Sequence, residues 1–103
     1  MKPFIPEARV PHIFRDAPGH LSDTPENRRL LIETASDPQN LTGRDWYGNL
    51  WYTRQMSVER QVWVQVRGEE ICNGGLNQPP RVWSPLTGFS QAGHPPEVED
   101  DDA

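Results

Sequence analysis

The run Val58–Arg67, VERQVWVQVR, alternates apolar and polar residues over most of its length. A period of two marks a strand with one face in a core and the other turned outward. Val58, Val62, Val64 and Val66 fall on one side, and Gln61, Trp63, Gln65 and Arg67 on the other. No other stretch is as regular, so any fold for this chain is predicted to be a sheet built around this strand. Gly68-Glu69 then turns the chain, and Glu70–Asn73 pairs back antiparallel until Gly74-Gly75 ends or bulges that strand. Arg81–Ser84 reads as a last short strand, followed by a turn at Pro85-Leu86-Thr87-Gly88. Upstream, Asp45–Thr53 carries Gly48-Asn49 between aromatic pairs, which suits a hairpin turn or a bend, and Gln39–Arg44 reads as a polar connection.

One helix is predicted ahead of the sheet. Thr24 stands at its N-cap, Pro25 at its first position and Glu26 in its first turn, where a carboxylate favours the helix dipole. It runs to about Ala35 or Ser36, with Leu30, Leu31 and Thr34 toward the core, and Asp37-Pro38 stops it. The expected fold is therefore α+β, with one N-terminal helix packed on a small curved antiparallel sheet of three to four strands. Residues 1–11 hold three prolines and read as an extended arm without helix; residues 12–90 form a single domain; residues 91–103 form a disordered acidic tail. Trp46, Tyr47, Trp51 and Tyr52 read as core or sheet-face aromatics.

Charge is unevenly placed. The net charge is −5, yet Glu97, Glu99, Asp100, Asp101 and Asp102 supply five of the fifteen acids. The remaining chain is formally neutral, and nine of its ten basic residues are arginine, the side chain best shaped for bidentate contact with phosphate or carboxylate. Cys72 is the only cysteine, so there is no intrachain disulfide and no paired-cysteine zinc site. No apolar run approaches the roughly 20 residues a membrane span requires, and no signal peptide opens the chain. These features predict a soluble protein.

The chemistry-bearing stretch is His12–Arg29, HIFRDAPGHLSDTPENRR. Two histidines beside a basic helix start supply the apparatus for cleaving RNA without a metal or cofactor. A base takes the 2′-hydroxyl proton, an acid protonates the departing 5′-oxygen, and a cation steadies the phosphorane. In that scheme His12 and His20 transfer protons, and Arg15 with Arg28 or Arg29 holds phosphate. Thr53, Arg54 or Thr87 adds a hydroxyl or a charge from the sheet, while Trp63, Gln65 and Arg67 offer stacking and hydrogen bonds to bases. A zinc site from His12, His20 and His94 with a carboxylate is poorly motivated, because no HExxH or paired-cysteine spacing is present.

The runs HIF-R-APGH-DTPENR-L, D-YGN-WY, QVWVQVR, ICNGGLNQPPR-W and P-TG, over about residues 12–88, resemble the C-terminal toxin modules of bacterial contact-dependent and polymorphic toxin systems. Several such modules belong to the barnase, EndoU and colicin-type ribonuclease superfamily. The resemblance implies catalytic roles for His12 and His20, a phosphate contact at Arg28 and a late-strand hydroxyl at Thr87. It also implies an RNA substrate, tRNA included, a cognate immunity protein, and action in the bacterial cytoplasm after delivery by a secreted carrier. Ser57–Arg60 departs from the expected Asp-Gly type of hairpin turn, and the neutral body departs from the usual basic character of toxin nucleases. Two other readings fit the sequence. One is a non-enzymatic protein-binding module using Arg and Trp side chains; the other is a small acidic inhibitor in which EVEDDD competes for a basic nucleic-acid cleft.

Overall fold

A computed structural model describes residues 2–89 of the chain, so the acidic tail expected at 91–103 lies outside the described residues. A 3-10 turn at Glu7–Arg9 leads into a short helix α1, Val10–Ile13. Helix α2, Pro25–Ser36, and a second 3-10 turn, Pro38–Asn40, follow. Four strands complete the order: β1 Leu41–Arg44, β2 Leu50–Ser57, β3 Arg60–Arg67 and β4 Glu70–Asn77. They form one open, curved antiparallel sheet in the order β1-β2-β3-β4, so the α+β architecture expected from the sequence is what the chain adopts.

Helix α2 starts where its cap dictates. The Thr24 hydroxyl accepts the Asn27 N–H at 3.0 Å, satisfying one of the donors a helix start leaves open. Its buried residues Leu31, Thr34 and Ala35 lie over the sheet face that carries Tyr52, Val62, Val64, Val66 and Ile71, with Ile13 of α1 closing the side. Ile13, Leu31, Ile71 and the three valines are 0% exposed. Each such side chain contributes roughly 1.5–3 kcal/mol by leaving water, which makes this layer the main source of stability.

The opposite sheet face is also covered, and here the structure corrects the sequence reading. Trp63 and Gln65 were expected on an exposed face, yet they are only 6% and 0% exposed. Two remote segments supply the cover. Residues 17–20 cross β4, where a Cβ at Gly75 would run into the Gly19 carbonyl. Residues 81–89 bring Trp83 and Phe89 against Trp51 and Trp63 to form a second, aromatic cluster.

Other expectations shift for local reasons. The arm is extended around Phe4, whose backbone pairs with β4 through Phe4 N–H to Glu69 O at 2.9 Å and Ile71 N–H to Phe4 O at 2.8 Å. From Glu7 it turns helical, and Pro11 sits in the first turn of α1, where its missing N–H leaves no gap. Leu41–Arg44, expected as connection, is strand β1, paired along Leu50–Tyr52. Gly74-Gly75 does not end β4, which continues to Asn77. The two glycines are where the strand is squeezed from both sides, by Leu31 above Gly74 and by the 17–20 loop below Gly75. Val58 belongs to the β2–β3 turn and is 86% exposed, off the buried face on which it was expected. Arg81–Ser84 is not a strand. The Gln61 side chain takes up the backbone of Arg81, and only Ser84 and Gly88 form a bridge, around the expected turn.

Candidate functional site

The loop between α1 and α2 is anchored at Gly19. Its carbonyl accepts two bonds, one from the Leu76 N–H of β4 at 3.0 Å and one from the Trp63 indole N–H of β3 at 3.1 Å. The next residue, His20, is thereby set beside the sheet. Its Nδ1 donates to the Ile13 carbonyl at 2.9 Å, so the neutral ring carries its lone pair on Nε2. The ring meets Trp63 edge-on, with centroids 5.7 Å apart and planes at 77°.

His20 stands between two clefts. One, of about 100 Å³, is walled by Trp51, Trp63 and Phe89 and rimmed by Asn77 and Arg81. The other, of about 190 Å³, is lined by Phe14, Arg15, Asp16 and Ser22 as well as His20. A third cleft, of about 410 Å³, continues past Asn77 and Arg81 over Gln78 and Pro79.

The walls of the first cleft are themselves braced. The buried Asp45 carboxylate accepts the Trp51 indole N–H at 2.7 Å, the Asn49 side-chain amide at 3.0 Å, and the Tyr47 and Asn49 backbone N–H groups at 2.8 and 2.9 Å. Trp51 in turn stacks near Trp63, at 5.8 Å and 27°. On the opposite rim, Gln61 Oε1 accepts the Arg81 N–H at 3.1 Å and the Asn77 amide at 2.8 Å, while Gln61 Nε2 donates to the Arg81 carbonyl at 3.3 Å.

Of the residues singled out in the sequence, the structure brings His20 together with Trp63 in one cleft and with Arg15 in the other. His12 lines neither; it packs against Arg15, whose Nη1 lies 3.0 Å from His12 Nδ1 and donates to the His12 carbonyl at 2.8 Å. Arg28 forms a two-point pair with Asp23 at 2.6 and 2.8 Å, reaches Glu7 at 3.2 Å, and lies 5.9 Å from the Phe14 ring centroid. The Arg28 hydrogen bonds hold the Asp23 carboxyl below its ordinary range, and chiefly the bond to Asp23 raises the Arg28 guanidinium against the opposing effect of burial. Arg28 thus ties the N-terminal turn to α2. Arg67 is a brace as well, donating to Asn49 Oδ1 at 3.0 Å and to the Tyr47 carbonyl at 3.2 Å. Arg29 and Arg54 are exposed. Arg54 pairs across the sheet with Val62, which places it on the α2 side, away from the aromatic cleft. Thr87 lies half-buried in the Ser84–Gly88 turn, and the Thr53 hydroxyl is shared with Thr42 at 2.7 Å.

Sequence reasoning missed Arg81, Asn77, Gln61 and Asp45. Only the Asp45 signal was present locally, as an Asp followed by a Gly-Asn turn and a Trp. Among the described residues no three His, Cys, Asp or Glu side chains gather as a metal-ion cage, and no helix is long and apolar enough to cross a membrane. No protein-family model, no curated protein and no solved structure matches this chain.

Proposed function

We propose that this domain is a metal-independent RNA endonuclease of the bacterial toxin type, with His20 as its general base. The observation that carries the reading is the placement of His20. A backbone carbonyl orients its ring, Trp63 supports its edge, and it borders two clefts that carry Arg15 and Arg81. Nε2 takes the 2′-hydroxyl proton, the 2′-oxygen attacks phosphorus, and the bond to the 5′-oxygen breaks, leaving a 2′,3′-cyclic phosphate. For His12 to return a proton to the 5′-oxygen, Arg15 leaves the His12 ring nitrogen it lies against and turns to the phosphorane charge, which frees that nitrogen to carry the proton. Trp51, Trp63 and Phe89 provide a wall for a base. A cognate immunity protein covering the clefts, and delivery into a target bacterium's cytoplasm by a carrier, belong to the same reading. In it, Arg28 and Arg67 support the site from behind, because their guanidinium groups are committed to structural contacts.

The test is purified protein incubated with total RNA and tRNA in EDTA, wild type beside His20→Ala. Discrete cleavage by the wild type alone is expected, with the cyclic phosphate as product. Intact RNA after incubation with folded wild-type protein overturns the reading. A protein-binding module is the second reading, favoured by the exposed Trp46 (76%) and Leu86 (62%), which adjoin through the Trp46 N–H to Pro85 carbonyl bond at 2.8 Å.

A further inference from the structure

The aromatic cleft does not end at its rim. It shares Pro18, Gly19, Asn77 and Arg81 with the larger cleft over Gln78 and Pro79, so the two form one continuous path. Their chemistry differs. The first presents rings; the second has no aromatic side chain and one cation, Arg81. A nucleotide chain has that same division, flat apolar faces on the bases and a polar, anionic backbone between them.

We propose that Arg81 marks a second phosphate subsite, so that the substrate is a chain of at least three nucleosides, running from the reacting phosphate at His20 through the aromatic cleft and across Arg81 into the cleft over Gln78-Pro79. This inference rests on the nuclease reading and adds the length and direction of its substrate. The backbone of Arg81 is clamped by both polar atoms of the Gln61 side chain, and Gln61 is itself held by Asn77. The guanidinium, in contrast, makes no hydrogen bond or ion pair among the described residues, unlike those of Arg28 and Arg67. A fixed backbone carrying an uncommitted guanidinium binds an anion without first breaking an internal pair, and with part of the ordering cost already met.

Uncleavable 2′-deoxy ligands test this without turnover. Wild type, Arg81→Ala and Arg81→Lys are titrated with a 2′-deoxynucleoside, a 2′-deoxy dinucleotide and a 2′-deoxy tetranucleotide, following tryptophan fluorescence at several salt concentrations. Trp51 and Trp63 in the cleft wall provide the signal. The tetranucleotide is expected to bind Arg81→Ala roughly tenfold more weakly than wild type, with a salt slope smaller by about 0.7, the value of one phosphate contact on a single strand. A nucleoside carries no phosphate, so its salt slope is the same in wild type and Arg81→Ala, and Arg81→Lys keeps the wild-type slope for the tetranucleotide. Tetranucleotide binding by Arg81→Ala with wild-type affinity and slope overturns the subsite while leaving the aromatic cleft intact. A wild-type protein that cleaves RNA yet binds none of the three ligands overturns the extended path across Arg81, whereas the nuclease reading itself stands or falls with RNA cleavage.

Discussion

Replacing Gly75 with alanine adds one methyl group where the sheet meets the loop that carries His20. That Cβ would collide with the Gly19 carbonyl and crowd the His20 Cα at 3.1 Å, and both partners are backbone, so no side chain can swing aside. The loop has to lift. Lifting it breaks the bonds from Leu76 N–H and the Trp63 indole to the Gly19 carbonyl and leaves a buried indole donor unpaired. Losing the Leu76 bond costs about 1 kcal/mol net, and the Trp63 indole left buried and unpaired costs roughly 1–3 kcal/mol. The sum is a loss of about 2–4 kcal/mol, or a melting temperature lower by roughly 10–20 °C in a domain of this size. Urea denaturation followed by tryptophan fluorescence measures it, beside RNA cleavage at a temperature where the variant stays folded. Gly74→Ala is the control. Its Cβ meets the flexible Leu31 side chain at 3.0 Å and the Trp63 carbonyl at 3.2 Å, on the α2 side, so it perturbs helix packing and spares the loop. On the nuclease proposal, Gly75→Ala therefore loses cleavage disproportionately to its stability. A Gly75→Ala protein within about 0.5 kcal/mol of wild type, cleaving RNA normally, would refute the docking of the loop through Gly19.

Asp45→Ala removes an acceptor shared by four donors, and is expected to lower unfolding free energy by about 3 kcal/mol or more and to shift Trp51 emission toward that of a solvated indole; a loss below about 1 kcal/mol would contradict this account. The Asp23 carboxyl is held below its ordinary 3.8 by Arg28, so the pair supports the fold fully above that value and is lost as pH falls through the lowered folded-state value. Asp23→Asn should accordingly flatten part of the acid decline of the melting temperature below about pH 4 and leave behaviour at higher pH free of any new titration. Gln65→Met keeps the volume of a fully buried side chain whose amide N and O meet no hydrogen-bond partner among the described residues, and should stabilise the domain by roughly 1–3 kcal/mol in urea denaturation; destabilisation by a similar amount would show that the amide is used.

What could be read from the sequence was what neighbouring residues determine among themselves. The α2 start is a contact between Thr24 and Asn27, and the faces of β3 follow from pleating alone, so both are visible in a short window. The cover on the second face is not. Trp63 is buried through Gly19, far upstream, and through Phe89, far downstream, and neither partner carries a local pattern that announces the meeting. Residue type singled out His20 and Arg15, and the fold brings these two to one cleft. It passed over the placement of Arg81, which depends on Gln61 in another element, and it did not show the internal contacts of Arg28 and Arg67 with Asp23, Glu7, Asn49 and Tyr47.

The two sheet faces consequently carry different obligations. Across the α2 face the contacts are mainly aliphatic, with Tyr52 and Phe14 among them, and a smaller aliphatic side chain there costs transfer and cavity energy without displacing a polar group of the clefts. The other face is core and cleft floor at once. Trp63 packs with Trp51 and Phe89, supports the edge of His20, and holds the Gly19 carbonyl through its indole N–H. Asp45 fixes Trp51, and Gln61 fixes Arg81, from either end of that face. Stability and the shape of the clefts are therefore coupled through the same side chains, and substitutions on this face are expected to change both in concert, whereas those beneath α2 change stability first and the clefts only as the whole domain loosens.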